Sequence, residues 1–244
     1  MIRLAQEEDF AIKENNEVLV RILGIHLTYG TEAPFVRYYT DGTGSLLTIM
    51  DGVALFHTDE LNDEWSAFLA MNPDIISVHC TQSIGDRLIQ SRVWKGRVGH
   101  TMEFTGKPPQ SISESVCTTP HLPAVYELLR DHFTGISPFN SWYPDVSHRL
   151  RHGNSHISVI QDDKKVISTA MTVAETDNAA VLGQVATHPD FRRRGMAEVC
   201  VKSTIFQCKD KKLYILPVDD IALKLYKKLG FEIVDGWAEL ERIQ

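Results

Sequence analysis

The chain is poor in cysteine, and its cysteines are not arranged as a framework. Only four are present, namely Cys80, Cys117, Cys200 and Cys208, and no two of them form a C-x-x-C pair. This spacing argues against a disulfide-stapled fold, a four-cysteine zinc module and a thioredoxin-like redox motif. We therefore expect a protein with reduced thiols, as is typical of the cytoplasm.

Long hydrophobic runs and excess positive charge are also lacking. No apolar run approaches the roughly 18 residues that a membrane span requires. The first ten residues, MIRLAQEEDF, are acidic and contain no apolar core of a secretion signal. The formal net charge is −7, which disfavours nucleic acid and acidic membranes as partners. We expect a soluble cytoplasmic protein that binds neither.

The length and the apolar content fit two globular domains. The chain has 244 residues, of which 43% are hydrophobic. The segment around Gly106-Lys107-Pro108-Pro109 is the best candidate boundary, because Gly and Pro interrupt regular structure. The predicted domains are residues 1–106 and 117–244, joined by a linker at 107–116.

Hydrophobic periodicity predicts a mixed α/β fold in which the order of elements repeats. From the first hairpin onward, both halves are predicted to run β, β, β, α, β, α, β, which suggests a duplication. The predicted helices lie within 6–29, 61–71, 83–94, 120–133, 140–152, 196–208 and 219–229. The predicted strands are 35–40, 45–50, 53–57, 75–80, 98–104, 156–161, 166–174, 181–187, 213–217, 231–234 and 237–241, with a turn at 162–165 and a possible strand near 115–118.

The stretch from residue 180 to residue 200 has the pattern of an anion site. A predicted strand ends at Thr187, a basic turn with Arg192–Arg194 and Gly195 follows, and an apolar helix begins at Met196. The unpaired N–H groups and the dipole of a helix N-terminus favour negative charge. Glycine allows close approach of the backbone, and arginine suits phosphate. A solvent-exposed charged turn is the alternative interpretation.

The corresponding stretch of the first half has the opposite character. It reads HTDELNDEW, contains neither glycine nor arginine, and carries Asp59, Glu60, Asp63 and Glu64. These carboxylates would repel phosphate. We therefore expect one anion site per chain, in the second half.

Two motifs of the second half resemble the GNAT superfamily of N-acetyltransferases. The first is Arg192-Arg193-Arg194-Gly195-Met196-Ala197, and the second is the helix Ala222 to Leu229 with Tyr226, followed by Gly230-Phe231. The resemblance covers about residues 117–244, whereas residues 1–105 share only the order of elements. It implies an α/β fold with a mixed sheet, with a GNAT fold in the second half and a degenerate GNAT-like copy in the first.

The resemblance implies acetyl-coenzyme A as co-substrate and an amine as acceptor. Tyr226 would protonate the leaving thiolate, although a packing tyrosine is the alternative. Many members have asparagine at the start of the tyrosine helix, and this chain departs from them with Asp219-Asp220. The residues that would bind acetyl-coenzyme A are Val185, Ala186, Thr187, Arg192, Arg193, Arg194, Gly195, Met196 and Ala197.

The sequence leaves the rest of the chemistry open. Transfer of another acyl group and a non-catalytic coenzyme A-binding module are alternatives to acetyl transfer. The acceptor is expected to be a small-molecule or peptide amine, and the chain a monomer or weak homodimer.

Candidates for the general base are Glu175, Asp177, His148, His152 and His156. The last three are spaced by four residues, but Gly153 ends the helix, so no metal site is expected. The basic segment 148–152 is an alternative anchor for an anionic acceptor group.

Overall fold

The computed structural model of the protein describes residues 1–163 and 165–243. The chain forms two compact units, each of which contains strands and helices. Unit 1 comprises Met1–Met102, Leu216–Val218 and the chain from Ile233 onward, and unit 2 comprises Glu103–Ile215 and Asp219–Glu232. The predicted turn at 162–165 includes Lys164, which lies outside the described residues.

Unit 1 has helices on both faces of its sheet. The sheet order is β1-β2-β3-β4-β5-β11-β6, in which β4 and β5 are parallel and β11 is antiparallel to β5. Helix α1 covers one face and helices α2 and α3 cover the other. Its elements are β1 Arg3–Leu4, α1 Glu17–Tyr29, β2 Val36–Thr40, β3 Leu46–Met50, β4 Val53–His57, α2 Asp63–Met71, β5 Ser77–Thr81, α3 Gln82–Gln90, β6 Trp94–Phe104 and β11 Phe231–Arg242.

The two faces of this sheet follow from residue alternation. Adjacent strand residues point to opposite faces. Leu46 accordingly packs with the α1 residues Leu19 and Ile22, whereas Leu47 packs with Trp65 of α2.

Unit 2 repeats this arrangement. Its strands lie in the order β10-β9-β8-β7, with β9 and β10 parallel. Helices α4 and α5 pack on one face through residues such as Val125 and Trp142. Helix α6 lies on the other face, where Thr204 donates to Ser158 at 3.0 Å. Its elements are α4 Leu122–Arg130, α5 Phe139–Arg151, β7 Ile157–Asp162, β8 Lys165–Glu175, β9 Ala179–Thr187, α6 Met196–Gln207, β10 Lys212–Ile215 and α7 Asp220–Leu229.

The predicted α/β class and the repeated order of elements are confirmed. One difference concerns the end of the chain, where the two predicted strands form the single strand β11. The predicted linker 107–116 lies inside unit 2, and the chain from Ile233 onward lies in unit 1. The compact units are therefore discontinuous in sequence, whereas the predicted domains are continuous.

Three local predictions need refinement or correction. The N-terminal helical region needs only its start refined: it consists of a 3₁₀ turn, Glu7–Phe10, and helix α1, which starts where the Asn16 side chain accepts from the Leu19 N–H. Its end at the C-cap Gly30 agrees with the predicted end of this region. Helix α3 ends at Gln90 rather than near residue 94, because Trp94 begins β6. The strand near 115–118 is reduced to an isolated bridge between Cys117 and Val159. Among the described residues, no helix has both the length and the apolar character that crossing a bilayer requires.

Candidate active site

The parallel strands β9 and β10 stop pairing halfway along β9. Their register runs from Ala179 opposite Lys212 to Leu182 opposite Ile215, where β10 ends. β9 continues to Thr187 without β10 beside it. Backbone groups on that edge of β9 are therefore available to a ligand that lies alongside it.

A bulge in β9 marks the point at which the pairing ends. The register with β8 shifts between Thr169 and Met171, and Gln184 has a positive φ of 48°. A bulge bends its strand and redirects side chains, and bulges are frequent next to active sites. The Gln184 side chain accepts a hydrogen bond from the buried Trp142 indole at 3.3 Å, which ties α5 to this position. We did not predict Gln184 as a site residue, although it is a polar residue within the apolar run VLGQVA.

The turn after β9 exposes a row of backbone donors. Arg193 and Gly195 adopt left-handed conformations with φ of 62° and 78°. Gly195 is the N-cap of α6, and it supplies no capping side chain. Within the described residues, the N–H groups of 193–198 have no hydrogen-bond acceptor. Successive unpaired N–H groups at a helix start form an anion-binding concavity.

Glycine at position 195 permits the left-handed backbone conformation of the turn and leaves the turn accessible to a ligand. An L-residue is strained at this φ. A Cβ built on Gly195 would have no heavy atom within 4 Å, so the space above the turn is open. The predicted Gly195, Met196 and Ala197 thus lie where the helix start faces free space.

The three arginines of the turn have different surroundings. The Arg192 guanidinium donates to the Thr187 carbonyl at 3.2 Å and to His132 Nδ1 at 3.2 Å. Arg194 donates to the Asp190 carbonyl at 3.2 Å and lies over the Phe191 ring. Arg192 and Arg194 therefore brace the turn.

Arg193 differs from its two neighbours. It is exposed, and within the described part of the chain its side chain has no partner. Its guanidinium is the one of the three that remains fully available to a bound anion.

His132 is a second residue that sequence reasoning missed. It follows α4 in the chain and contacts Arg192. Burial lowers the pKa of His132, the Arg192 charge lowers it further, and Asp219 acts in the opposite direction. A neutral imidazole can accept the hydrogen bond from Arg192, whereas a protonated one cannot. No spacing pattern in the sequence connects these two residues, which lie 60 positions apart.

One carboxylate stands in the first turn of α6, and two lysines neutralise it. Glu198 accepts from Lys202 at 2.8 Å and from Lys228 at 2.6 Å. These two contacts hold the pKa of Glu198 below its ordinary value, the Lys202 bond contributing most. Because Lys228 belongs to α7, the same pairing fastens α7 to the start of α6. The Glu198 charge therefore opposes a bound phosphate less than an isolated carboxylate would.

Tyr226 lies on α7, two residues before Lys228. Its side chain is 5% exposed, and its hydroxyl has no hydrogen-bond partner among the described residues. Burial, assisted by the Asp219 charge, raises the pKa of the Tyr226 phenol above its ordinary value. The phenol is therefore protonated at neutral pH and has a proton to donate. Asp219 itself caps α7, since it accepts from the Ala222 N–H at 2.7 Å.

The candidate bases Glu175 and Asp177 lie at the paired end of β9, away from the open end. Glu175 pairs in register with Ala180 and is 2% exposed. It forms an ion pair with Lys211 at 2.7 Å and contacts His156 Nδ1 at 3.0 Å. Burial alone would raise the pKa of Glu175, but these two partners outweigh it and lower the pKa. Asp177 is an exposed residue of the turn between β8 and β9.

The remaining candidate bases are His148 in the last turn of α5, His152 at its C-cap and His156 just before β7. The rings of His148 and His152 lie with centroids 4.1 Å apart at a tilt of 34°, while His156 contacts Glu175 instead. Arg149 is buried against Asp145 at 2.7 Å. The three histidines thus do not converge, and Arg149 is not available to an acceptor.

Comparisons with known proteins agree with this geometry. Residues 124–239 match the family model described as GNAT acetyltransferase. No curated protein matches the chain.

Solved structures with the same fold cover almost the entire chain. A GNAT-family acetyltransferase from Novosphingobium aromaticivorans is 15% identical with a TM-score of 0.59, and the match covers 94% of this chain and all of that one. A Drosophila protein is 13% identical with a TM-score of 0.65, covering 99% and 98% of the two chains. A tandem GNAT protein from the clavulanic acid biosynthesis pathway is 13% identical with a TM-score of 0.56, covering 93% and 88%. At these identities the likeness shows the fold alone.

Proposed function

We propose that this chain, which carries a GNAT acetyltransferase domain at residues 124–239, is an N-acetyltransferase that uses acetyl-coenzyme A. One observation carries the proposal. The free edge of β9 leads directly into the turn whose N–H groups at 193–198 have no acceptor within the described residues. A ligand with an extended arm and a pyrophosphate has the shape and charge that this edge and this turn would bind.

The residues present fit acetyl-coenzyme A. The N–H groups of Arg193 to Ala197 would hold the pyrophosphate, and the open space above Gly195 admits it. The exposed Arg193 guanidinium would add a positive charge for the phosphates. The backbone of Val185 to Thr187 would hold the pantetheine arm through the edge that β10 leaves unpaired. When bound, acetyl-coenzyme A supplies an activated acetyl thioester.

The protein groups then have defined tasks in direct transfer to an amine. The edge of β9 holds the thioester carbonyl next to the acceptor amine, which supplies proximity and orientation. N–H groups of β9 beyond Leu182 stabilise the negative charge that develops on the carbonyl oxygen. As the nitrogen–carbon bond forms and the carbon–sulfur bond breaks, the Tyr226 hydroxyl gives its proton to the departing sulfur. Its buried position keeps that proton in place until transfer. The acceptor nitrogen releases one proton to water, and water returns a proton to Tyr226.

The test replaces Tyr226 by phenylalanine. General acids contribute about 10²- to 10⁴-fold, so we expect Tyr226→Phe to lower kcat by a factor in that range. The affinity for coenzyme A should stay unchanged, because the variant removes only a hydroxyl. The free energy of unfolding should also change little, since that hydroxyl has no hydrogen-bond partner among the described residues. Steady-state kinetics and calorimetric titration with coenzyme A measure the two quantities.

Tyr39→Phe is the matched control, because Tyr39 is a half-buried strand tyrosine of unit 1. It should retain wild-type turnover. Equal turnover of Tyr226→Phe and wild type would remove Tyr226 from the mechanism. Tight coenzyme A binding without thioester consumption across a panel of amines would instead favour a non-catalytic binding module. A preference for a longer acyl thioester would favour transfer of another acyl group.

A further inference from the structure

Three metal-ligating side chains meet in unit 2 at the end of α6 that lies away from the basic turn. His156 stands just before β7, Glu175 ends β8, and Cys208 follows the last turn of α6. Glu175 and Cys208 are buried, whereas the His156 side chain is 32% exposed. Helix α6 separates this cluster from the basic turn by about 18 Å, taking 1.5 Å per residue.

The spacing of the three ligand atoms suits one small ion. His156 Nδ1 lies 3.0 Å from Glu175 Oε2 and 3.7 Å from Cys208 Sγ. All three atoms lie within 4.8 Å of one another. Zinc binds nitrogen and oxygen at about 2.0–2.2 Å and sulfur at about 2.3 Å in tetrahedral sites, which puts neighbouring ligands roughly 3.3–3.8 Å apart. Small side-chain movements therefore suffice to enclose an ion.

A second layer of contacts already orients the carboxylate. Lys211 donates to Glu175 Oε1 at 2.7 Å and to the Thr176 carbonyl at 2.6 Å. Thr172 donates to Oε2 at 3.0 Å. Oε1 is thus engaged by Lys211, while Oε2 contacts the His156 imidazole. Ligating carboxylates are usually held by outer partners in this manner.

We propose that His156, Glu175 and Cys208 bind one Zn²⁺ ion, with a water molecule as the fourth ligand. Imidazole together with thiolate selects a borderline-soft ion such as zinc over Mg²⁺ or Ca²⁺, which prefer all-oxygen sites. The Cys208 thiol releases its proton to solvent when the sulfur–zinc bond forms. The exposed side of His156 gives the ion and the water a path from solvent. The ion links the start of β7, the end of β8 and the end of α6, so it stabilises unit 2.

The experiment uses the full-length protein, stripped with a chelator and then titrated with Zn²⁺ or Co²⁺. We expect one ion per chain by metal analysis after dialysis, and a higher melting temperature with zinc than without it. The cobalt form should show a thiolate-to-cobalt charge-transfer band. Cys208→Ala should abolish this band, and His156→Ala should weaken binding by at least about tenfold.

Cys117→Ser serves as the matched control, because Cys117 is a half-buried thiol outside the cluster and should leave binding intact. His156 is partly exposed, so His156→Ala keeps the test valid even if Cys208→Ala fails to fold. A wild-type protein without bound zinc and without the cobalt band would overturn the proposal. Equal binding by wild type and His156→Ala would do the same.

Discussion

The two units contain the same strand–turn–helix connection with opposite chemistry. In unit 2, α6 starts at Gly195 with no side-chain cap, and the N–H groups around it have no acceptor within the described residues. In unit 1, α2 starts at Asn62, whose side chain accepts from the Trp65 N–H at 2.9 Å. Asp63 and Glu64 add negative charge to that first turn. A shared topology therefore leaves one helix start open to an anion and closes the other.

The two units also differ in the contacts made where their parallel strands separate. In unit 1, β4 and β5 pair only from Val53 to Leu55, much as β9 and β10 do in unit 2. The first residues of α1 hold both strands there, since Asn16 contacts His57 at 3.1 Å and Glu17 contacts His79 at 2.6 Å. In unit 2 the contact at this level is that of Trp142 with Gln184 of β9. In unit 1, side chains at the start of α1 therefore occupy the place where β4 and β5 separate.

This difference teaches that the fold repeats while the ligand site does not. The parallel pair that opens is a property of the backbone topology. Whether the separated strands accept a ligand depends on a few residues at the start of the following helix, such as Gly195 or Asn62. We therefore expect one coenzyme A site per chain.

The largest effect is expected when unit 2 is given the acidic character of unit 1. In Gly195→Asp, a carboxylate at ~4 Å from a bound phosphate costs roughly 4 kcal/mol, so the affinity for coenzyme A should fall about 1000-fold. Gly195→Asn has the same shape, and both residues tolerate the left-handed conformation. It should therefore lose much less affinity. Calorimetric titration with coenzyme A measures the difference.

Gly153→Asp is the control for this pair. Gly153 has a φ of 75° and open space around its Cβ position, but it lies at the end of α5. It should bind coenzyme A as wild type does. If Gly195→Asp and Gly195→Asn lose equal affinity, the turn does not bind the phosphates.

The next effect concerns the contact that bridges the strands of unit 1. Burial would raise the pKa of Glu17, but His79 and Arg21 outweigh it and lower the pKa from 4.5 to about 2. Glu17→Gln should lower the unfolding free energy at neutral pH by on the order of 3 kcal/mol. A lowered carboxyl pKa stabilises above the unfolded value of 4.5, and the stabilisation is lost as the pH falls towards about 2.

Urea denaturation across this pH range is the measurement for Glu17→Gln. The variant should lose less stability on acidification than wild type does. Glu32→Gln, at an exposed position of unit 1, should behave as wild type. Parallel acid curves for wild type and Glu17→Gln would contradict the assigned role.

The smallest effect is expected when the Asn62 side chain, the N-cap of α2 in unit 1, is removed. Asn62→Gly should cost only a few tenths of a kcal/mol, because glycine is itself an acceptable N-cap. The variant should still bind one coenzyme A per chain, since Asp63 and Glu64 remain beside the helix start. Equilibrium dialysis with coenzyme A counts the sites. A second equivalent of bound coenzyme A would show that the cap alone closes unit 1.

Much of the architecture is predictable from local patterns. Periodicity and turn residues predict most helices and strands within a few residues, and Gly195 and Gly230 lie at the ends of helices as expected. The family match over 124–239 confirms the GNAT resemblance drawn from two short motifs, and the tandem GNAT fold agrees with the predicted duplication. The roles of Tyr226 and of the turn residues stay predictions.

What escaped prediction depends on residues far apart in the chain. The contact of Arg192 with His132 spans 60 positions, and that of Cys208 with His156 spans 52. The sequence led us to expect no metal, because Gly153 ends the helix that carries His148 and His152, and this expectation stays a prediction. The spacing of ligands along a sequence indicates only sites built within one local segment. The bulge at Gln184 likewise depends on the register with β8.

Local sequence specifies the order of elements, the acidic first turn of α2 and the basic glycine turn before α6. These features depend on composition and on local backbone preference, which neighbouring residues dictate. Three features depend on tertiary packing. The chain from Ile233 onward lies in unit 1, Asn16 and Glu17 contact β4 and β5, and Arg192 braces the turn while Arg193 stays free. The reason is physical: burial and pairing across long chain separations depend on how sheets and helices pack, and local propensity does not encode that packing.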